Sequence, residues 1–134
     1  MKTKNKLLII VFICFTAACS NQPGEVTIKE PRKAIIEPDY SEITIPVNIA
    51  PLNFSIEDEG EAFFVKIVGK NGNSLSVSSN NGTIKFPEKK WKKWLETNKN
   101  SILEYQVFVE NEGKWKQFQS FENKVSGNEV DPFL

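Results

Sequence analysis

The sequence predicts a mainly-β domain in which two antiparallel sheets pack face to face and one short helix connects two strands. Many short segments alternate between apolar and polar residues, and Asn-Gly pairs separate several of them. One lysine-rich segment has helical spacing instead. About six or seven short strands, with turn signals roughly every 8 to 12 residues, are typical of a β-sandwich.

The first predicted strands lie in "ITIPVNIAPLNFSI", which begins at Ile43. Pro46 and Pro51 cannot donate to a sheet ladder, so we expect an edge strand that leads into a second strand over residues 52–57. The segments "AFFVKIV", "SLSVSS" and "TIKF" follow, separated by "NGN" and "NNG". Asn-Gly pairs tolerate the positive φ that tight hairpins need. A meander is therefore predicted, with strands at residues 62–68, 74–79 and 83–86.

The segment "PEKKWKKWLETN" predicts the helix. Trp91, Trp94, Leu95 and Asn98 fall at i, i+3, i+4 and i+7, which places them on one helical face, while the lysines take other directions. Proline in the first turn, followed by a glutamate, suits the start of a helix.

The carboxyl-terminal part predicts the last two strands. "SILEYQVFVE" places Leu103, Tyr105, Val107 and Val109 on one face and Glu104, Gln106 and Glu110 on the other. After "NEG" the chain continues as "KWKQFQSFENKV", where Trp115 and Phe118 break strict alternation and predict a bulge or a strand covered on both faces. "EYQVFV" followed by "KWKQF" resembles the last two strands of a fibronectin type III module. The predicted fold is therefore an immunoglobulin or fibronectin type III-like antiparallel β-sandwich.

The amino terminus has the layout of a secretory signal. Three lysines precede the apolar run "LLIIVFICFTAA", and Cys19 follows it. The run is shorter than the ~20 apolar residues that a membrane-spanning helix needs. The expected organisation is a signal peptide over residues 1–18, a tether over 19–41, the sandwich over 42–130, and the start of a further segment at 131–134. Within the tether, "EVTIKE" could form a short edge strand.

Thr16-Ala17-Ala18-Cys19 resembles the lipobox of bacterial lipoproteins. The resemblance implies cleavage before Cys19, a diacylglyceryl group on its thiol and an acylated new amino terminus. Two or more acyl chains give stable anchoring, whereas one is marginal. The alternative is an ordinary signal with an incidental cysteine. Ser20 in place of Asp implies the outer membrane, and the lack of a following acidic run favours the periplasmic side.

The composition excludes several functional classes. The chain has 17 basic and 17 acidic residues, and removal of the signal leaves 14 basic residues, so no nucleic-acid surface is expected. There is no histidine, and the only cysteines are Cys14, inside the signal, and Cys19. Cys/His zinc sites, thiol nucleophiles and Ser-His-Asp triads are therefore unavailable to the mature domain. We expect neither an enzyme nor a cofactor.

Two groups of residues are candidates for binding or chemistry. The acidic segment "EDEGE" contains carboxylates that calcium favours, but its spacing is more typical of a solvated turn. A weaker hypothesis is a hydrolase that uses Glu57 and Glu61. Trp91, Trp94 and Trp115 are candidates for a sugar-binding platform, although helical spacing of large aromatic residues is more typical of core packing.

Pro38-Asp39-Tyr40, followed by "TIPVNIAPLNFSI", resembles the start of a family of anaerobe envelope lipoproteins. In that family a small sandwich-like domain precedes a TolB-like β-propeller, and "DPFL" resembles the point where the propeller begins. The resemblance implies contacts with an envelope protein or a glycan rather than catalysis. The chain is expected to be the leading domain of such a protein or a stand-alone anchor domain.

The expected function is a non-enzymatic, lipid-anchored spacer or protein-interaction module. The alternative is a carbohydrate-binding module that uses exposed tryptophans. The sequence leaves the partner and the oligomeric state open.

Overall fold

The computed structural model describes residues 22–131, which form two β-sheets and one α-helix. The predicted signal peptide, Cys19 and the last three residues lie outside the described residues. The strands are β1 (Val26–Lys29), β2 (Ile36–Glu37), β3 (Thr44–Ile45), β4 (Phe54–Ile56), β5 (Ala62–Val68), β6 (Ser74–Ser79), β7 (Thr83–Ile84), β8 (Ile102–Asn111), β9 (Lys114–Gln117) and β10 (Phe121–Val125), with the helix α1 (Glu88–Thr97) between β7 and β8 and a 3₁₀ turn (Lys70–Gly72) between β5 and β6.

The two sheets confirm the predicted β-sandwich. In the larger sheet, β6 pairs with β5 and β5 pairs with β8, while β9 and β10 both lie along the second edge of β8. The smaller sheet has the order β2-β4-β7. This division of the strands is that of an immunoglobulin-like sandwich. The pairing is antiparallel throughout, except that β1 runs parallel to β9 and β3 runs parallel to β10.

The predicted bulge is confirmed between β9 and β10. Gln117 is opposite Phe108 and Phe121 is opposite Tyr105. The chain therefore advances four residues from Gln117 to Phe121, while β8 covers the same distance with three. One extra residue therefore lies in this strand, as in a β-bulge. It lets Phe118 and Phe121, three positions apart, both enter the main core. Trp115 and Phe118 lie before the extra residue, on opposite faces of the strand that are both covered, so the second alternative from the sequence, a strand covered on both faces, accounts for that pair.

The sandwich begins earlier than the sequence predicted. β1 and β2 lie within the range assigned to a tether, residues 19–41, and Ala34 and Ile36 are buried in the main core. That assignment is therefore corrected for residues 26–41. The two strands are four and two residues long. β1 lies in "EVTIKE", the part of this range that could form an edge strand, whereas β2 has too few residues to show alternation.

Helix α1 is confirmed and packs one face into the core. Its buried residues are Trp91, Trp94 and Leu95, as the helical spacing predicted. The Phe86 ring lies 4.9 Å from that of Trp91 and 6.2 Å from that of Phe54. An aromatic row therefore joins the helix to the smaller sheet. No helix within residues 22–131 has the length and apolar character needed to cross a membrane.

Candidate functional site

The two tryptophans of α1 are core residues. Trp91 is 1% exposed and Trp94 is 8% exposed. The Nε1 of Trp91 donates a hydrogen bond to the carbonyl oxygen of Ile49 at 3.1 Å, which satisfies its polar atom inside the protein. Neither ring is available as a flat surface on which a sugar could stack.

Trp115 is buried on the opposite side of the larger sheet. It is 8% exposed and forms a small cluster with Phe64 and Phe108, whose rings lie 5.9 Å apart. This cluster contacts the half-buried Val26 of β1. The three tryptophans therefore share no surface. The core-packing interpretation is confirmed, and the structure does not bring these candidates together as a binding platform.

The acidic segment around Gly60 forms a turn, and Asp58 in this turn binds the backbone of a neighbouring segment. The carboxylate of Asp58 accepts hydrogen bonds from the Arg32 guanidinium at 2.5 Å and from the backbone N–H of Ile35 at 2.8 Å. Glu57 and Glu61 have exposed side chains. Glu61 contributes to the fold through its backbone, because its N–H donates a hydrogen bond to the carbonyl oxygen of Glu110 at 2.8 Å. The solvated-turn interpretation describes Glu57 and Glu61, whereas Asp58 is a structural residue.

Arg32 is the centre of a charged cluster that sequence reasoning missed. Its guanidinium lies 5.1 Å from the centre of the Phe118 ring, and Glu30 lies between Arg32, at 4.0 Å, and Lys116, at 3.6 Å. The hydrogen bond to Asp58 raises the pKa of Arg32. The cluster fixes the crossover from β1 to β2, where the chain passes from one sheet to the other. Arg32 and Asp58 are 26 positions apart, so no local sequence pattern predicts their contact.

A groove lies between α1 and the segment before β4. It has a volume of about 680 Å³ and is lined by Ile49, Pro51, Trp91, Lys92, Glu96 and their neighbours. Both signs of charge line it, and the Trp91 ring contributes little accessible surface. The lysines of α1 at positions 89, 90, 92 and 93 are exposed. The charged lining of the groove consists of Glu88, Glu96 and Glu129 with Lys92 and Lys99, so neither sign of charge dominates.

A second groove lies on the outer face of the larger sheet, the face directed away from the main core. Its volume is about 420 Å³, and its lining includes Pro23, Gly24, Phe64, Ser76 and Phe108. The segment before β1 therefore lies against this face. Within the described part of the chain, no group of three or more cysteine, aspartate or glutamate side chains is placed to hold a metal ion.

Comparison with known proteins finds no relative of this chain. No protein-family model, no curated protein and no solved structure matches this chain. The lipobox and the likeness to propeller-containing lipoproteins therefore stay predictions of the sequence.

Proposed function

We propose that this chain is a non-enzymatic, lipid-anchored envelope protein whose sandwich serves as a spacer or protein-interaction module. The observation that carries the proposal is the position of Cys19. It ends a signal-like segment with the pattern Thr16-Ala17-Ala18, and β1 begins only seven residues later, at Val26. This place in the sequence supports a role for Cys19 as an anchor ahead of the domain.

The spacing between Cys19 and β1 limits how far the domain extends from a membrane. Seven residues span at most about 25 Å when fully extended. The sequence had assigned a tether up to residue 41, but β1 and β2 occupy much of that range. An acylated Cys19 would therefore hold the sandwich close to the lipid headgroups. This arrangement suits a protein that presents a surface near the membrane.

The surroundings of the candidate residues support a binding role over a catalytic one. Asp58 is held by Arg32 and by the backbone of Ile35, so the one shielded carboxylate of the acidic turn has a structural role. Burial of Trp91, Trp94 and Trp115 removes the exposed aromatic surface on which the carbohydrate-binding alternative depends. A protein partner is accordingly the favoured ligand class.

The proposed location is the outer membrane, with the domain on the periplasmic side. The absence of Asp after Cys19 and the lack of a following acidic run support it. The likeness of residues 38–56 to the leading domain of TolB-like propeller lipoproteins suggests a role as the membrane-proximal part of such an assembly. The "DPFL" segment, on which the propeller boundary was predicted, extends beyond the described residues.

Metabolic labelling with palmitate tests the proposal. The wild-type chain should incorporate label and Cys19→Ala should not, because the thiol is the expected attachment atom. Cys14→Ala is the matched control, since Cys14 lies within the apolar run, and it should retain the label. Equal labelling of wild type and Cys19→Ala would overturn the anchor.

A further inference from the structure

Strand β6 is the one long edge in the described part of the sandwich. It has six residues, "SLSVSS", and among the described strands it pairs with β5 alone. The other edges are protected in ordinary ways. β2, β3 and β7 have two residues each and β1 has four, and prolines follow β1, β2 and β3. Natural edge strands are usually blunted by shortness, charge or proline, because an open edge pairs with other chains.

The side chains of β6 also suit a pairing edge. Leu75 and Val77 point to the core side, where they are half-buried and pack against the main core. Ser74 and Ser76 are exposed on the outer face. The strand contains neither a charged residue nor a proline. A strand added at this edge would therefore extend the apolar layer on one face and a serine layer on the other.

We propose that β6 pairs with β6 of a second copy of this chain, in antiparallel fashion, with the two-fold axis passing beside Ser76. In that register each Ser76 lies opposite the other, and Leu75 lies opposite Val77 of the second copy. Directly opposed residues share a face in an antiparallel pair. Because the strand reads as alternating serine and aliphatic residues in both directions about Ser76, each side chain meets one of the same character.

The position of the leading segment favours a second copy as the occupant. Residues 22–24 lie against the outer face of the larger sheet, beside Phe64 and Ser76. A two-fold axis through an antiparallel strand pair is perpendicular to the sheet, so both outer faces point the same way. Both leading segments then leave the dimer on one side, as two anchors in one membrane require. This step rests on the proposed lipid anchor.

Disulfide cross-linking of the full-length protein in membranes tests the register. Opposed Cα atoms in an antiparallel pair lie about 4.5–5.5 Å apart, within the range a disulfide spans. Ser76→Cys should therefore form a covalent dimer on mild oxidation. Ser74→Cys is the matched control on the same strand and face. Its two copies would lie roughly 13 Å apart, four residues at 3.3 Å each, which is too far to link.

The expected result is a dimer fraction at least about tenfold higher for Ser76→Cys than for Ser74→Cys. The wild-type chain, which has Cys19 but no cysteine in β6, provides the background. No dimer from either variant, or equal dimer from both, would overturn the pairing. Palmitate labelling of the same samples separates the two proposals. Loss of the dimer with the label intact overturns the pairing alone, and loss of the label with the dimer intact overturns the anchor alone.

Discussion

The side-chain oxygen of Asn98 accepts a hydrogen bond from the backbone N–H of Lys70 at 2.7 Å, across 28 positions of sequence. The Nδ2 of the same residue donates to the carbonyl oxygen of Trp94 at 2.8 Å. One buried amide thus joins the end of α1 to the turn between β5 and β6. A Cβ atom at Gly69 would lie 2.2 Å from the Asn98 oxygen, so this contact requires glycine at position 69.

Asn98→Ala should lower the free energy of unfolding by about 1–3 kcal/mol, because it leaves the N–H of Lys70 without its acceptor. The carbonyl oxygen of Trp94 loses the Nδ2 donor but still accepts a hydrogen bond from the backbone N–H of residue 98 at 3.1 Å. Urea denaturation measures the change. Asn80→Ala, at an exposed position, is the control and should be neutral within about 0.5 kcal/mol. Equal effects of the two substitutions would refute the bridging role of Asn98.

Asp58→Ala should destabilise the fold by about 1–3 kcal/mol, because it removes the acceptor for both Arg32 and the N–H of Ile35. Thermal or urea unfolding gives the value. Glu59→Ala, in the same turn but exposed, should change stability little. If the carboxylates of this turn served a catalytic or metal-binding purpose instead, Asp58→Ala would leave stability unchanged.

The buried phenol of Tyr105 should make the protein less stable at high pH. Burial raises the pKa of Tyr105 to about 12, and the nearby Asn123 side chain opposes this only in part. The unfolded chain releases this proton near pH 10 and the folded chain retains it. The free energy of unfolding should therefore fall by about 1.4 kcal/mol per pH unit between pH 10 and pH 12.

Urea titrations of wild type and Tyr105→Phe at several pH values isolate this contribution. The difference in free energy of unfolding between the two proteins should be constant below pH 10 and should change above it, because phenylalanine has no proton to release. Tyr40→Phe, which alters the other tyrosine of the chain, is the control and should keep the wild-type slope. A constant difference through pH 12 would contradict the burial of a neutral Tyr105.

The sequence predicts those parts of the fold that are encoded by local periodicity. β5 and β6 were expected at residues 62–68 and 74–79, and both match the structure. The buried face of α1 follows from helical spacing. The broken alternation at Trp115 and Phe118 predicted a bulge or a strand covered on both faces, and the structure has both features. β1 lies in "EVTIKE", which the sequence indicated as a possible short edge strand, whereas β2 was missed because two residues have no visible period.

The side-chain contacts between distant segments were harder to predict than the strands. The pairs Arg32 with Asp58 and Asn98 with Lys70 are 26 and 28 positions apart. Their contacts depend on how the two sheets and the helix pack, so neither charge nor amide placement in the sequence reveals them. For the tryptophans the sequence contained two conflicting indications: the residue type suggested a binding surface, whereas the spacing indicated the core. Spacing was the better guide.

The mass of the mature amino-terminal peptide tests the central proposal most directly. Mass spectrometry of protein purified from membranes should find a first residue at Cys19 that carries a diacylglyceryl group on its sulfur and an acyl chain on its nitrogen. The same peptide from Cys19→Ala should carry no lipid. A wild-type chain that begins elsewhere, or that begins at Cys19 with an unmodified thiol, would contradict the account.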